Sequence, residues 1–153
     1  MSATLASEAV VVRRTIPASA EELFDAWLNP LALAVWMRPG TIRDTRATVD
    51  ARVGGEYEIV MRGAESPIVH RGVYVAIERP RKLVFTWNSR FTGDGETLVT
   101  VEFLPVKAGT EVVVTHEKLP ESERAGHSRG WTSGLEHLDE ACQQRQLPTQ
   151  RSA

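Results

Sequence analysis

Four histidines, one cysteine and an ordinary complement of carboxylates are the side chains of this 153-residue chain with which chemistry could be done. His116 is the most suggestive of them. It shares a strand face with Val112 and Val114, read as inward, opposite Glu111, Val113 and Thr115. A histidine on an apolar face is usually a hydrogen-bonded core residue. Burial also lowers its pKa and keeps the ring neutral near pH 7, which suits a ligand anchor or a proton shuttle. His127 precedes Trp131 by four residues on a helix and so can face the same interior. His137 lies toward the glycine side of that helix and is expected to be exposed, and His70 falls in a strand with its face unassigned.

The spacings exclude more than they support. No two histidines have ligand spacing on one element, there is no HExxH, and a single cysteine, Cys142, makes neither a disulfide nor a metal cluster. There is no GxSxG nucleophile elbow. Gly93-Asp94-Gly95 is a turn without the helix and lysine of a phosphate loop. Glu56 and Glu58 alternate with apolar side chains and should be solvated, and Glu117 should point away from His116. No catalytic residue is assigned, and no cofactor or metal is expected.

The aromatic and methionine side chains carry the other possibility. Trp36, Tyr57, Met61, Tyr74, Phe85, Trp87, Phe103 and Trp131 are core candidates in any domain, because aromatic rings dominate cores. A curved sheet over one helix leaves space that they need not fill, and pockets are mostly apolar with a few polar anchors. The candidate lining is Tyr57, Ile59, Met61, Trp87, Val101, His116, His127, Trp131 and Leu135, with Trp36 at the mouth and Tyr74 or Tyr57 orienting a polar end. Trp87 has uncertain parity, since both faces of Leu83 to Trp87 are apolar. Gly126, Gly130 and Gly134 each cost about 1 kcal/mol in a helix relative to alanine. They serve either close packing or cavity volume, and on the second reading Gly134→Leu would occlude the cavity.

The elements that must position these groups follow from pattern. Glu8 to Ile16 is a β-branched strand ended by Pro17. Ser19 with Glu22 has capping-box spacing, and Leu23, Phe24, Trp27 and Leu28 recur on one helical face. Asn29-Pro30 stops that helix and starts a second, broken at Pro39-Gly40. Strands are expected over Thr41–Asp50, around Tyr57, Ile59 and Met61, and over Val69–Ile77 and Leu83–Trp87. Two more carry Val99, Val101 and Phe103, then Val112 to His116. A final helix is expected from Glu121 to Gln146, with Trp131, Leu135, Leu138 and Cys142 in one stripe. Consecutive strands joined by short turns argue for an α+β fold with an antiparallel sheet, covered by the long helix.

Length and composition give one domain, residues 1–147, with 148–153 a flexible tail. A net charge of −2 leaves no basic surplus for nucleic acid. No apolar run reaches the roughly 18 residues of a membrane span, and the N-terminus lacks a signal pattern, so the expected location is the cytoplasm. A homodimer is open.

Several motifs in order resemble one family. They are Ile16-Pro-Ala-Ser-Ala-Glu-Glu-Leu-Phe-Asp-Ala-Trp27 with Asn29-Pro30, Gly54-Gly55-Glu-Tyr57, Gly72-Val-Tyr74, Pro80-Arg-Lys-Leu-Val-Phe-Thr-Trp87, Gly109-Thr110 through His116, and Gly130-Trp131. The chain from Val10 to Leu138 resembles the SRPBCC superfamily, in the branch named for the activator of Hsp90 ATPase (AHSA1-like), near START-like and Bet v 1-like proteins. That resemblance implies a helix-grip fold, a curved antiparallel sheet around a long C-terminal helix with a cavity between them. It implies a hydrophobic small molecule as partner, such as a lipid, polyketide or hormone. Two alternatives stand beside this. One is a cyclase-like or hydrolytic enzyme using His116 or His127 as base, and the other is a protein-interaction module like the namesake. The namesake has a further domain before this one, whereas here the domain starts almost at Met1, which counts against Hsp90 activation. The loops Asn88 to Glu96 and Gly63 to Pro67 are candidate gates.

Overall fold

A computed structural model describes residues 9–93 and 95–148. Glu8, Asp94 and the last five residues of the expected tail lie outside the described residues. The elements are β1 (Val10–Ile16), α1 (Ala20–Leu28), α2 (Pro30–Trp36), β2 (Asp44–Val49), β3 (Glu56–Arg62), β4 (Ile68–Glu78), β5 (Lys82–Trp87), β6 (Thr97–Val106), β7 (Gly109–Glu117) and α3 (Glu121–Gln143). The strands form one seven-stranded antiparallel sheet in the order β1-β7-β6-β5-β4-β3-β2, curved into a half-barrel gripped around α3. The α+β helix-grip architecture is therefore the fold of this chain. No helix among the described residues is long and apolar enough to cross a membrane.

Local chemistry fixes the element ends. The Ser19 side chain accepts from the Glu22 amide at 3.1 Å, and Asn29 caps α2 through the Leu31 amide at 2.9 Å with Pro30 in the first turn. Glu121 and Glu123 stand in the first turn of α3, where the positive end of the helix dipole favours them. The helix ends at Gln143, three residues before the expected Gln146, and Arg145 turns with φ 56°.

The inner face of the sheet is lined by alternating side chains: Tyr57, Ile59 and Met61 on β3, Val99, Val101 and Phe103 on β6, and Val112, Val114 and His116 on β7. α1 and α2 close one end of the half-barrel. Trp27 packs edge-on to Trp36 and Phe103, with centroids 4.7 and 6.4 Å apart, and stacks on Trp131 at 5.9 Å. At the other end of α3, the half-buried pair Arg14–Asp139 (2.8 Å), with Gln143 donating to the same carboxylate, ties the helix to β1.

Gly72 is required by close approach. It stands opposite Tyr57 in the β3–β4 register, and the Tyr57 ring lies across it to donate its hydroxyl to the Thr86 carbonyl at 2.6 Å. A Cβ at position 72 would lie 1.9 Å from that carbonyl oxygen and 2.6 Å from the ring. Gly72→Ala is expected to destabilise by about 3 kcal/mol or more, as forced overpacking does. Tyr57→Phe, which only strands a buried carbonyl, should cost about 1–2 kcal/mol. Urea unfolding of the two variants checks this order, and a neutral Gly72→Ala would contradict it.

Candidate functional site

The site is organised by a hydrogen-bond relay that begins on α3. An indole N–H can only donate. Trp131 Nε1 donates to His116 Nδ1 at 3.0 Å, so that nitrogen carries no proton. The remaining ring nitrogen, Nε2, lies 2.8 Å from Thr97 Oγ1 and is the N–H of the neutral ring. Thr97 in turn donates to the Trp87 carbonyl oxygen. His116 and Thr97 are fully buried. Burial, reinforced by His127 and His70, lowers the His116 pKa to about 3. Both ring nitrogens are thus in use, and the ring is locked neutral in one tautomer.

In front of this relay lies an open cleft of about 590 Å³. Its inner wall is Trp87 and Trp131, with ring centroids 5.0 Å apart, together with His70 and Met61. The α2–β2 connection, from Met37 to Ile42, forms one rim. The first half of α3 forms the other, where Gly126 and Gly130 present no side chain. His127 also stands on this rim. Its Nδ1 meets the Glu123 carbonyl at 2.9 Å and so is an N–H donor, which fixes the ring. Phe91 borders the mouth, under the Arg90 guanidinium at 4.9 Å. Arg90 also donates to the Pro67 and Ser66 carbonyls at 2.7 and 3.3 Å, so the two candidate gate loops are bonded to each other.

A polar recess of about 790 Å³ lies against the β3–β4 strands beside Glu58, Arg71 and Asn88. Both of its arginines are paired within it, Arg71 with Glu58 at 2.9 Å and Arg52 with Asp50 at 3.0 Å. The apolar cleft is the better site by its chemistry. Among the described residues, no group of three metal-capable side chains comes together.

The candidates from sequence divide between cleft and core. Met61, Trp87, His127 and Trp131 border the cleft. Tyr57, Ile59, Tyr74, Val101, His116 and Leu135 are buried in the packed interior. Trp36 is not at the mouth: it is fully buried and donates its indole N–H to the Ala26 carbonyl at 3.0 Å. Tyr57, one of the expected polar anchors, is committed to Thr86. Gly134 is buried beside the Trp36 ring, 3.8 Å from where its Cβ would be, and does not line the cleft; Gly126 and Gly130 are the glycines at the cleft. His137 is half-buried, with a buried Nδ1, and not exposed.

The hollow is also shorter than a deep helix-to-sheet cavity. Behind Trp87 and Met37 only a void of about 10 Å³ remains, because Trp27, Tyr57, Tyr74 and Phe85 fill the space. The residue that sequence reasoning left unassigned is His70. It is 6% exposed and stacks on Trp87 at 4.4 Å, with burial first, then His127 and Arg90, lowering its pKa to about 3. The available signal was its place two residues before Gly72, on the face that Tyr74 also occupies.

Comparison with known proteins agrees with this architecture. The family model described as Activator of Hsp90 ATPase homolog 1-like protein matches residues 17–143, and the chain belongs to that family. A crystal structure of a Chromobacterium violaceum protein is similar with TM-score 0.80 at 24% identity, over 88% of this chain and 96% of the other. A Rhodobacter sphaeroides protein is similar with TM-score 0.78 at 25% identity, over 90% of this chain and 94% of that one. CalU16 from Micromonospora echinospora shares the fold with TM-score 0.65 at 20% identity, over 85% of this chain and 73% of its own. A search of the curated proteins found no match.

The two depressed histidines make stability depend on pH. Their folded pKa values, about 3, lie below the ordinary 6.5. Between those values the unfolded chain takes up protons that the folded chain does not. Stability is therefore full above pH 6.5 and is lost as pH falls below it. From pH 7 to pH 5 each histidine should remove about 2 kcal/mol. Urea unfolding at the two pH values checks this, and His70→Phe should halve the histidine-dependent loss. An unchanged loss in that variant would contradict the assignment.

Proposed function

We propose that this member of the Activator of Hsp90 ATPase homolog 1-like family binds a small, largely apolar molecule in the cleft between the first half of α3 and the β3–β5 wall. The observation that carries the reading is the cleft itself. Its volume of about 590 Å³ falls in the range of small-molecule sites, and Trp87, Trp131, Met61 and Ile68 line it. Affinity would come from burying the ligand's apolar surface, at roughly 25 cal/mol per Å² before the costs of binding. The likeness of the chain to helix-grip proteins, which commonly take hydrophobic ligands, supports the same reading.

Of the two histidines weighed as a base, His127 carries the enzymatic alternative. His116 has no free ring nitrogen with which to accept a proton from a substrate. His127 lines the cleft with Nδ1 held by the Glu123 carbonyl, so that Nε2 of the neutral ring would be the nitrogen able to act as a general base. A bound molecule whose conversion is abolished by His127→Gln while its binding persists would establish that role.

Titration with the neutral fluorescent probe N-phenyl-1-naphthylamine tests the binding reading. A saturable fluorescence rise is expected for the wild type. Gly130→Leu should weaken it at least tenfold, because the new side chain enters the cleft. That variant should fold at least as well, since a Cβ there meets only Pro39 at 3.8 Å and a helical glycine is removed. Equal binding by Gly130→Leu, or none by the wild type, would overturn the reading.

A further inference from the structure

The wall of the cleft holds hydrogen-bonding capacity that the protein itself does not use. Of the four tryptophans, Trp36 and Trp131 spend their indole N–H on Ala26 and His116. Trp27 Nε1 and Trp87 Nε1 are buried without a protein partner. These two are also the tryptophans that border the small interior void. Trp87 borders the cleft as well, and the ring stacked on it, His70, has a buried Nδ1 that is likewise unpartnered. Buried polar groups in folded proteins nearly always find partners, so three around the cleft and the void behind it call for an explanation.

Cleft and void meet at a thin partition. Met37 and Trp87 are the side chains common to both linings. Met37 is 3% exposed and unbranched, with a thioether that adopts many rotamers, which makes it the movable half of the partition. An indole N–H accepts nothing and can be satisfied only by an acceptor. The wall around these donors is aromatic, and the arginine that lines the cleft, Arg129, is exposed on the α3 rim, so a full negative charge at the buried donors would be desolvated. The acceptor that fits is an uncharged oxygen.

Resting on the reading that the cleft holds an apolar ligand, we propose that it selects molecules bearing a neutral carbonyl oxygen on an apolar body, entering oxygen first. The oxygen accepts from Trp87 Nε1 as Met37 swings aside, and the apolar body lies along Trp131 and Met61. A hydrocarbon of the same shape fills the cleft but leaves the Trp87 donor unmet.

The test uses two probes of one shape, 2-acetylnaphthalene and 2-isopropenylnaphthalene, which differ only in C=O against C=CH₂. In ¹H–¹⁵N spectra of the labelled protein, the ketone should move the Trp87 indole proton downfield, and the alkene should not. The ring current is common to both probes and cancels in the comparison. Trp87→Phe should weaken the ketone five- to tenfold and the alkene less than twofold. If Trp87→Phe does not fold, 3-benzothienylalanine at position 87 keeps the bicyclic ring without the N–H and should give the same split. Equal indole shifts from both probes, or equal losses of affinity, would overturn the carbonyl selection while leaving the ligand cleft intact. Failure of both probes to bind the wild type would overturn the cleft reading and this inference with it.

Discussion

A buried imidazole whose two nitrogens both meet partners is the constraint on which this molecule turns. His116 accepts from Trp131 on the long helix and donates to Thr97, which donates onward to the Trp87 carbonyl. One ring therefore ties α3 to β7, β6 and β5. Hydrogen bonds in a water-free interior are directional, and an unmet donor there costs about 1–3 kcal/mol. The helix cannot rotate about its axis without stranding the Trp131 indole. That rotation decides which residues of α3 face the sheet.

The division of the interior follows. C-terminal to Trp131, Leu135 and Leu138 are buried against the sheet and the space is packed. N-terminal to it, the same helix presents Gly126 and Gly130 and the space stays open. The cleft is thus a local consequence of helix composition on either side of one anchored tryptophan. The two classes of glycine matter here. Gly134 lies buried beside the Trp36 ring, away from the cleft, whereas Gly126 and Gly130 give up side-chain volume to the cleft. The aromatic wall between them serves both as the edge of the core and as the floor of the site.

Much of the fold was legible in the sequence because its signals are local. The alternation of Tyr57, Ile59 and Met61 needs only the two-residue period of a strand, and Ser19 with Glu22 needs only the first turn of a helix. The order of elements, with a resemblance to match, then left one architecture. The site was less legible because it depends on distant pairings. Nothing near Tyr57 in sequence reveals that its hydroxyl reaches Thr86, since that contact needs the β3–β4 register and a glycine at position 72. Trp36 read as a mouth residue because a short helix of mixed apolar residues does not show which side meets another element. His70 stayed ambiguous because a histidine suits either face of a strand, although it shares the buried face of Gly72 and Tyr74, N-terminal to the bulge between Tyr74 and Ala76. Trp87 could not be assigned a face from a strand apolar on both sides, and only pairing with Thr97 settles it inward.

The most direct test of this account is the protonation state of His116 itself, read from long-range ¹H–¹⁵N correlations of the imidazole nitrogens as pH is lowered. The account predicts an unprotonated Nδ1 and a protonated Nε2, unchanged from pH 7 down to the onset of acid unfolding. A ring that carries its proton on Nδ1, or that titrates near pH 6.5 in the folded protein, would contradict it.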